Sequence, residues 1–124
     1  MHPAISLGID LGTSELKTVL MDSTGAVRGQ ASVRIDTSRP QPGWSEQAPQ
    51  DWWAACVHAL AQLRSAFPQD YAQIACIGLS GQMHGAVLLD GNDAVIRPAI
   101  LWNDARAEAE AAALARDYPA YAEV

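Results

Sequence analysis

Ile5-Ser6-Leu7-Gly8-Ile9-Asp10 alternates, with Ile5, Leu7 and Ile9 on one face and Ser6, Gly8 and Asp10 on the other, and Leu11-Gly12-Thr13-Ser14 follows at once. A period of two reads as a strand with one buried face. Its last polar residue brings a carboxylate to the mouth of a Gly-Thr-Ser turn. A carboxylate beside apolar neighbours is costly to desolvate unless it is paired or bound to a cation. Magnesium takes one or two carboxylates together with waters and phosphate oxygens, so Asp10 is the candidate metal and phosphate residue. Gly12 can take positive φ and lets the backbone approach a ligand closely. The N–H groups of Gly12, Thr13 and Ser14 then form a small anion nest. The hydroxyls of Thr13 and Ser14 add donors, and Lys17 stands near enough to reach a phosphate. The stretch is neither G-x-x-x-x-G-K-[ST] nor G-x-G-x-x-G. The competing reading is a hairpin turn in which Asp10 forms the turn and Lys17 is a solvated strand lysine.

Downstream, Leu16 to Met21 is a second strand, and Asp22-Ser23-Thr24-Gly25 has hairpin-turn chemistry. Val27 to Ile35 alternates, with Val27, Ala31, Val33 and Ile35 expected on the core face. Three antiparallel strands therefore open the domain. Residues 36–49 hold three prolines and read as a loop. Pro49 can begin a helix, in which Trp53, Cys56, Val57, Leu60, Leu63 and Phe67 recur at helical spacing before Pro68 ends it. Ile74 to Leu79 is nearly all apolar, as expected of a strand covered on both faces. Ala86–Leu89 and Ala94–Ile96 flank Asp90-Gly91-Asn92-Asp93, a second hairpin signal. After the short apolar piece 99–102, Asn103 or Asp104 is expected to cap a helix from Ala105 to about Asp117. The order predicts an α/β layer structure, a mixed sheet with helices on its faces. The last helix has one leucine among many alanines and needs a partner surface. The chain stops seven residues past its expected finish, so a truncated piece of a larger unit is expected.

Ser80-Gly81-Gln82-Met83-His84-Gly85 is a polar loop after a buried strand. Its glycines remove bulk, Gln82 offers a donor and an acceptor, and His84 offers either according to tautomer. Such groups suit a small hydroxyl-rich ligand; a tight connection with a satisfied histidine is the plainer alternative. Asp104 is a helix cap or a binding residue, and Arg106 a partner of Asp104 or of a substrate. Trp44, Trp52 and Trp53 are read as packing residues, with Trp44 also placed to wall a ligand. His58 is structural or exposed.

Composition narrows the class. The 124 residues are 49% apolar and 18% charged, as in a globular protein. A net charge of −6 argues against a nucleic-acid binder. No run approaches the roughly 20 apolar residues of a membrane span, and Met1-His2-Pro3 has no signal-peptide character, so the cytoplasm is the expected location. Cys56 and Cys76 form no C-x-x-C pair and are read as buried thiols.

Gly8-Ile9-Asp10-Leu11-Gly12-Thr13-Ser14, Gly43-Trp44-Ser45-Glu46-Gln47, Ser80-Gly81-Gln82-Met83-His84-Gly85 and Ile100-Leu101-Trp102-Asn103-Asp104 follow one another along essentially the whole chain. Together they resemble the FGGY carbohydrate kinases, and the Gln-Met-His-Gly loop most resembles the xylulokinase branch. The resemblance implies an actin-like ATPase fold of ribonuclease H-like topology, with two such domains and a cleft between them. Residues 1–124 would be the first part of the N-terminal domain, the remainder and the whole C-terminal domain lying beyond. It implies ATP-dependent phosphorylation of D-xylulose at its terminal hydroxyl, with Asp10 at the Mg2+ and phosphate site. Thr13, Ser14 and Lys17 would match nucleotide contacts, and Met83 and His84 the sugar-contacting pair; Gln82, Asp104 and Arg106 are weaker carry-overs. Glu15 departs from the family, where a small residue is common. The family's catalytic aspartate and adenosine pocket belong beyond Val124, so the 124 residues alone are expected to be inactive. The implied partners are a small sugar and ATP, with no nucleic acid or membrane; a homodimer of the longer protein is compatible. The rival readings are a kinase for another ketose or polyol, a non-catalytic actin-like nucleotide- or sugar-binding module, and an actin- or chaperone-like ATPase. The Gln-Met-His loop speaks against the last.

Overall fold

A computed structural model of the chain describes residues 4–118. Strands β1 (Ile5–Leu11), β2 (Glu15–Met21) and β3 (Val27–Arg34) run antiparallel in chain order. A two-residue strand β4 (Glu46–Gln47) precedes the long helix α1 (Pro49–Ala66) and the single turn α2 (Pro68–Tyr71). Strand β5 (Ile74–Gly81) then lies parallel to β1, giving the sheet order β3-β2-β1-β5. Strand β6 (Ala99–Ile100) pairs antiparallel with β4 in a second, small sheet, and α3 (Glu108–Asp117) follows.

The alternation expected for β1 is present: Ile5 and Leu7 are buried and Ser6 and Asp10 exposed. In β2 the buried set is Leu16, Thr18 and Leu20. The turn between β2 and β3 is held by Asp22, whose Oδ1 accepts the N–H groups of Thr24 and Ala26, while Gly25 takes the left-handed conformation that closes it. Helix α1 packs over β2 and β3. Ile5, Leu7, Leu20 and Leu63 form one cluster, and Leu16, Ile35, Ala55 and Ala59 a second. Each large side chain so buried contributes roughly 1.5–3 kcal/mol.

The helix presents a different face from the one expected. Ala55, Ala59 and Leu63 point inward, flanked by Trp52, Cys56, Leu60 and Phe67, whereas Trp53 is 71% exposed and Val57 also faces outward. The small alanines let the helix axis come close to the sheet, and the apolar bulk of Trp53 has no place at that distance. Val27 is likewise exposed instead of buried. A register shift between Leu20 and Met21 pairs Met21 with Val27 and Leu20 with Gly29, which rotates Val27 off the core face. Gly29 takes the inward position because a Cβ there would stand 2.6 Å from the Phe67 ring.

Strand β5 is not covered on both faces. It pairs only with β1 among the described residues, and Ile77 is 61% and Leu79 79% exposed. Register sets these two beside Leu7 and Ile9 on the helix side, but α1 lies over β2 and β3 and does not extend to them. Helices therefore cover part of one sheet face and none of the other among the described residues. Cys76 pairs with Ser6 on the opposite face, which no helix covers among the described residues, and is exposed, its thiol donating to Ser6 Oγ at 3.2 Å, while Cys56 is half-buried. The Asp90 turn forms, with Asp90 N–H donating to Ala94 O, yet only an isolated bridge between Leu89 and Val95 joins its arms. Residues 36–49 contain β4 and a bridge from Ser38 to Glu46, so the proline-rich loop is anchored. Helix α3 starts at Glu108, later than expected, and has no side-chain cap.

Candidate functional site

The turn after β1 and the loop after β5 lie side by side because β1 and β5 are parallel neighbours and both end there. Asp10 pairs with Ser80 and Leu11 with Gly81, and Gln82 N–H donates to Leu11 O at 2.7 Å, which ties the start of the loop to the start of the turn. Asp10, Gly12, Thr13, Gly81, Gln82, Met83, His84 and Trp102 line one cleft of about 450 Å³. The sheet register also sets Ser80, Asp10, Lys17 and Ser32 in a row on the face away from α1. Lys17 thus comes beside Asp10 as its cross-strand partner.

Within the turn, Gly12 does not take positive φ; the left-handed glycines are Gly25 and Gly43. A glycine is required at position 12 because a Cβ would lie 2.9 Å from Glu15 O, against which the turn closes through Gly12 N–H to Glu15 O. That N–H is therefore engaged internally. The N–H groups of Thr13 and Ser14 have no acceptor among the described residues. The Lys17 ammonium sits 2.8 Å from the Glu15 carboxylate, and this bond lowers the Glu15 pKa and raises that of Lys17, which the charge of Asp10 raises further. Glu15 thus occupies the sheet face near Asp10 with its charge matched.

Two glutamines connect the turn to the loop. Gln47 is buried to 1% exposure. Its Nε2 donates to Thr13 O at 2.7 Å and to Thr37 Oγ1 at 2.9 Å, and its Oε1 accepts from Trp52 Nε1 at 2.8 Å and from Gln82 Nε2 at 3.0 Å. Gln82 Oε1 in turn accepts the Thr13 hydroxyl at 3.2 Å, and Thr13 Oγ1 accepts from Trp102 Nε1 at 3.1 Å. The Thr13 hydroxyl thus donates internally, leaving one lone pair and no proton for a ligand. Met83 and His84, both exposed, face the cleft beyond this network, and His84 holds a left-handed φ of 64°. For a residue other than glycine that conformation is uncommon and marks a constrained position.

Asp104 and Arg106 lie outside the cleft lining, in an adjoining cluster. The Asp104 side chain is 1% exposed. It accepts from Ser45 N–H at 2.6 Å, Arg106 N–H at 2.9 Å, Arg106 Nε at 2.8 Å and Arg106 Nη2 at 2.6 Å. Arg106 also reaches Glu46 at 2.8 Å and stacks 3.7 Å over the Trp44 ring, and Arg97 holds the same Glu46 oxygen at 2.6 Å. The Arg106 guanidinium, with two backbone N–H groups, holds the Asp104 carboxyl well below the usual carboxylate range, and Asp104 with Glu46 keeps Arg106 fully charged. Asp104 therefore fastens the Ser45 segment to the start of the α3 approach and caps no helix.

The structure brings together Asp10, Gly12, Thr13, Gln82, Met83 and His84, adds Lys17 along the neighbouring row, leaves Ser14 exposed at the turn, and sets Asp104 and Arg106 apart. Trp102 and Gln47 were missed as site residues. Both sit in motifs quoted for the family resemblance, but neither has a periodic or spacing signal of its own; contacts across 35 to 89 residues define them.

A model of the N-terminal domain of the FGGY family of carbohydrate kinases matches residues 5–122. The xylulose kinase of Escherichia coli is 42% identical over 113 residues, 91% of this chain and 23% of that protein. The xylulose kinase of Bacillus subtilis is 47% identical over 100 residues, 81% of this chain and 20% of that one. A crystal structure from Brucella ovis described as a xyloylose kinase superposes with a TM-score of 0.89 at 53% identity, covering 94% of this chain and 24% of the other. The chain spans less than a quarter of the length of these relatives.

Proposed function

Since the chain belongs to the FGGY family of carbohydrate kinases, we propose that it is the first part of the N-terminal domain of a cytoplasmic enzyme that transfers the γ-phosphoryl group of ATP to the terminal hydroxyl of D-xylulose. One observation carries this reading. An exposed carboxylate, Asp10, stands beside two backbone N–H groups that have no acceptor among the described residues, across a single cleft from the Met83–His84 pair. The first half of that arrangement suits a polyphosphate and its cation; the second suits a small polyol.

Asp10, an exposed carboxylate lining the cleft, fits Mg2+ in the way that ion is usually held, by one or two carboxylates with waters and phosphate oxygens. Bound there, the cation would neutralise charge on the transferring phosphoryl group. The Thr13 and Ser14 N–H groups would hold phosphate oxygens, each charge-assisted bond contributing roughly 1.5–3 kcal/mol. His84 would hydrogen-bond a sugar hydroxyl, and Met83 and the Trp102 ring would shield the apolar edge of the sugar. Holding the hydroxyl and the phosphoryl group in line removes much of the entropic barrier to their encounter.

The test is a panel of ketoses and polyols on the full-length protein, with ADP formation as readout. D-xylulose should give the highest kcat/KM. ATP consumption that no sugar stimulates would indicate an actin- or chaperone-like ATPase, and sugar binding without ADP formation a non-catalytic module. The 124 residues alone should show no turnover.

A further inference from the structure

Six hydrogen bonds link Trp52, Gln47, Gln82, Thr13, Trp102 and Thr37, and their proton direction is fixed at both ends. An indole N–H can only donate and a backbone carbonyl can only accept. Trp52 Nε1–H therefore requires that the Gln47 atom it meets is Oε1, and Thr13 O requires that the other is Nε2. Gln47 Oε1 then requires Gln82 Nε2, which turns Gln82 Oε1 toward Thr13 and forces the Thr13 hydroxyl to donate to it. The Thr13 oxygen, its proton directed to Gln82, accepts from Trp102 Nε1–H, which can itself only donate. A reversed amide at Gln47 would set donor against donor at Trp52 and acceptor against acceptor at Thr13.

We propose that Gln47 is a positioning residue for the phosphate turn. Through Gln82 it fixes the proton direction of the Thr13 hydroxyl, and so clamps the 12–15 turn against the Trp102 wall and the sugar-facing loop. Gln47 faces neither ligand; it lines no part of the cleft. Its action is to make one buried amide brace, from outside the cleft, two loops that also meet through Gln82 N–H on Leu11 O and the Thr13 hydroxyl on Gln82 Oε1. The consequence for the proposed reaction, on whose reading the kinetic half rests, is that the phosphate nest and the sugar pair keep a single separation.

The test compares wild type with Gln47→Leu in the full-length protein, reading two quantities. The first is hydrogen exchange of the Trp102 indole N–H, which lies three links from Gln47 and needs no substrate. It should exchange at least about tenfold faster in the variant, while a residue that merely fills space would leave it unchanged. The second is kcat/KM for the best sugar, which should fall about 10–100-fold, as for other outer-shell supports. Gln82→Leu cuts the same chain one link on and should reproduce both effects; it also serves if Gln47→Leu does not fold. Adding it to Gln47→Leu should cause little further loss, because the two act in series. Unchanged Trp102 exchange, or full additivity of the two variants, overturns the proposal. A wild type that phosphorylates no sugar overturns the kinase reading instead, and the exchange result still decides the role of Gln47.

Discussion

Asp10 and Asp104 are both aspartates that follow short apolar stretches, and they are put to opposite uses. Asp104 has both oxygens engaged, by two backbone N–H groups and a forked guanidinium, at 1% exposure. Asp10 is exposed at a cleft mouth, with the neighbouring cation, Lys17, already held by Glu15. A carboxylate whose acceptor sites are filled from within the fold positions its surroundings; one whose sites face a cleft is available to a ligand. The same contrast separates Gln82, bonded at its side-chain oxygen, its side-chain nitrogen and its backbone N–H, from His84 two residues later.

The sharpest way to break this contrast is to neutralise each aspartate in turn. Asp10→Asn should leave the melting temperature of the full-length protein unchanged and lower kcat by about three orders of magnitude, the scale of several kcal/mol that a bound divalent cation supplies at a transferring phosphoryl group. Substantial activity in that variant would remove Asp10 from the centre of the site. Asp104→Ala should do the reverse. It leaves the Ser45 N–H without its acceptor and the half-buried Arg106 with Glu46 as its one remaining carboxylate among the described residues, so thermal denaturation should show the largest drop in Tm among single carboxylate variants.

Acid should reveal Asp104 as well. Its folded-state pKa is depressed, so its contribution is fully present above the unfolded value of about 3.9 and is lost only as pH falls from there toward the folded value. The Tm gap between wild type and Asp104→Ala should therefore be constant from about pH 8 to 5 and narrow below about pH 4. Narrowing already near neutrality would mean that another group carries the difference. A smaller effect is expected at the sugar end: His84→Ala should raise KM for the sugar about tenfold, the equivalent of one hydrogen bond to a hydroxyl, with KM for ATP unmoved. The smallest is at Glu15. Its pair with Lys17 is exposed, so Glu15→Gln should leave Tm within error and lower KM for ATP modestly by releasing the ammonium.

The sheet and its first helix were legible because their signals are local. Alternation placed β1 and β3, the Asp22 turn placed the hairpin, and Pro49 placed the start of α1. Local signals fail where an absent or small side chain matters more than a large one. Ala55 and Ala59 carry the α1 interface while Trp53 is turned outward, and Gly29 sits inward where the alternation pointed to Val27. The cleft was legible in its two motifs, since each supplies residues from one short loop. Gln47 and Trp102 were not, because their roles exist only once β4 and β6 pair and bring residues 45–47 beside 99–104. The pairing of Arg106 with Asp104, one of the alternatives their closeness in sequence offers, is present, but its extension to Glu46, far off in sequence, exists only in the folded cluster.

The outer flank of β5 has a practical consequence for anyone handling these 124 residues by themselves. An eight-residue strand with one row of peptide groups unmatched among the described residues, bearing bare Ile77 and Leu79, is a template for another extended segment. Solutions of the isolated polypeptide should therefore grow in mean particle mass as they are concentrated. A short peptide of complementary β-forming sequence, added in excess, should hold them small.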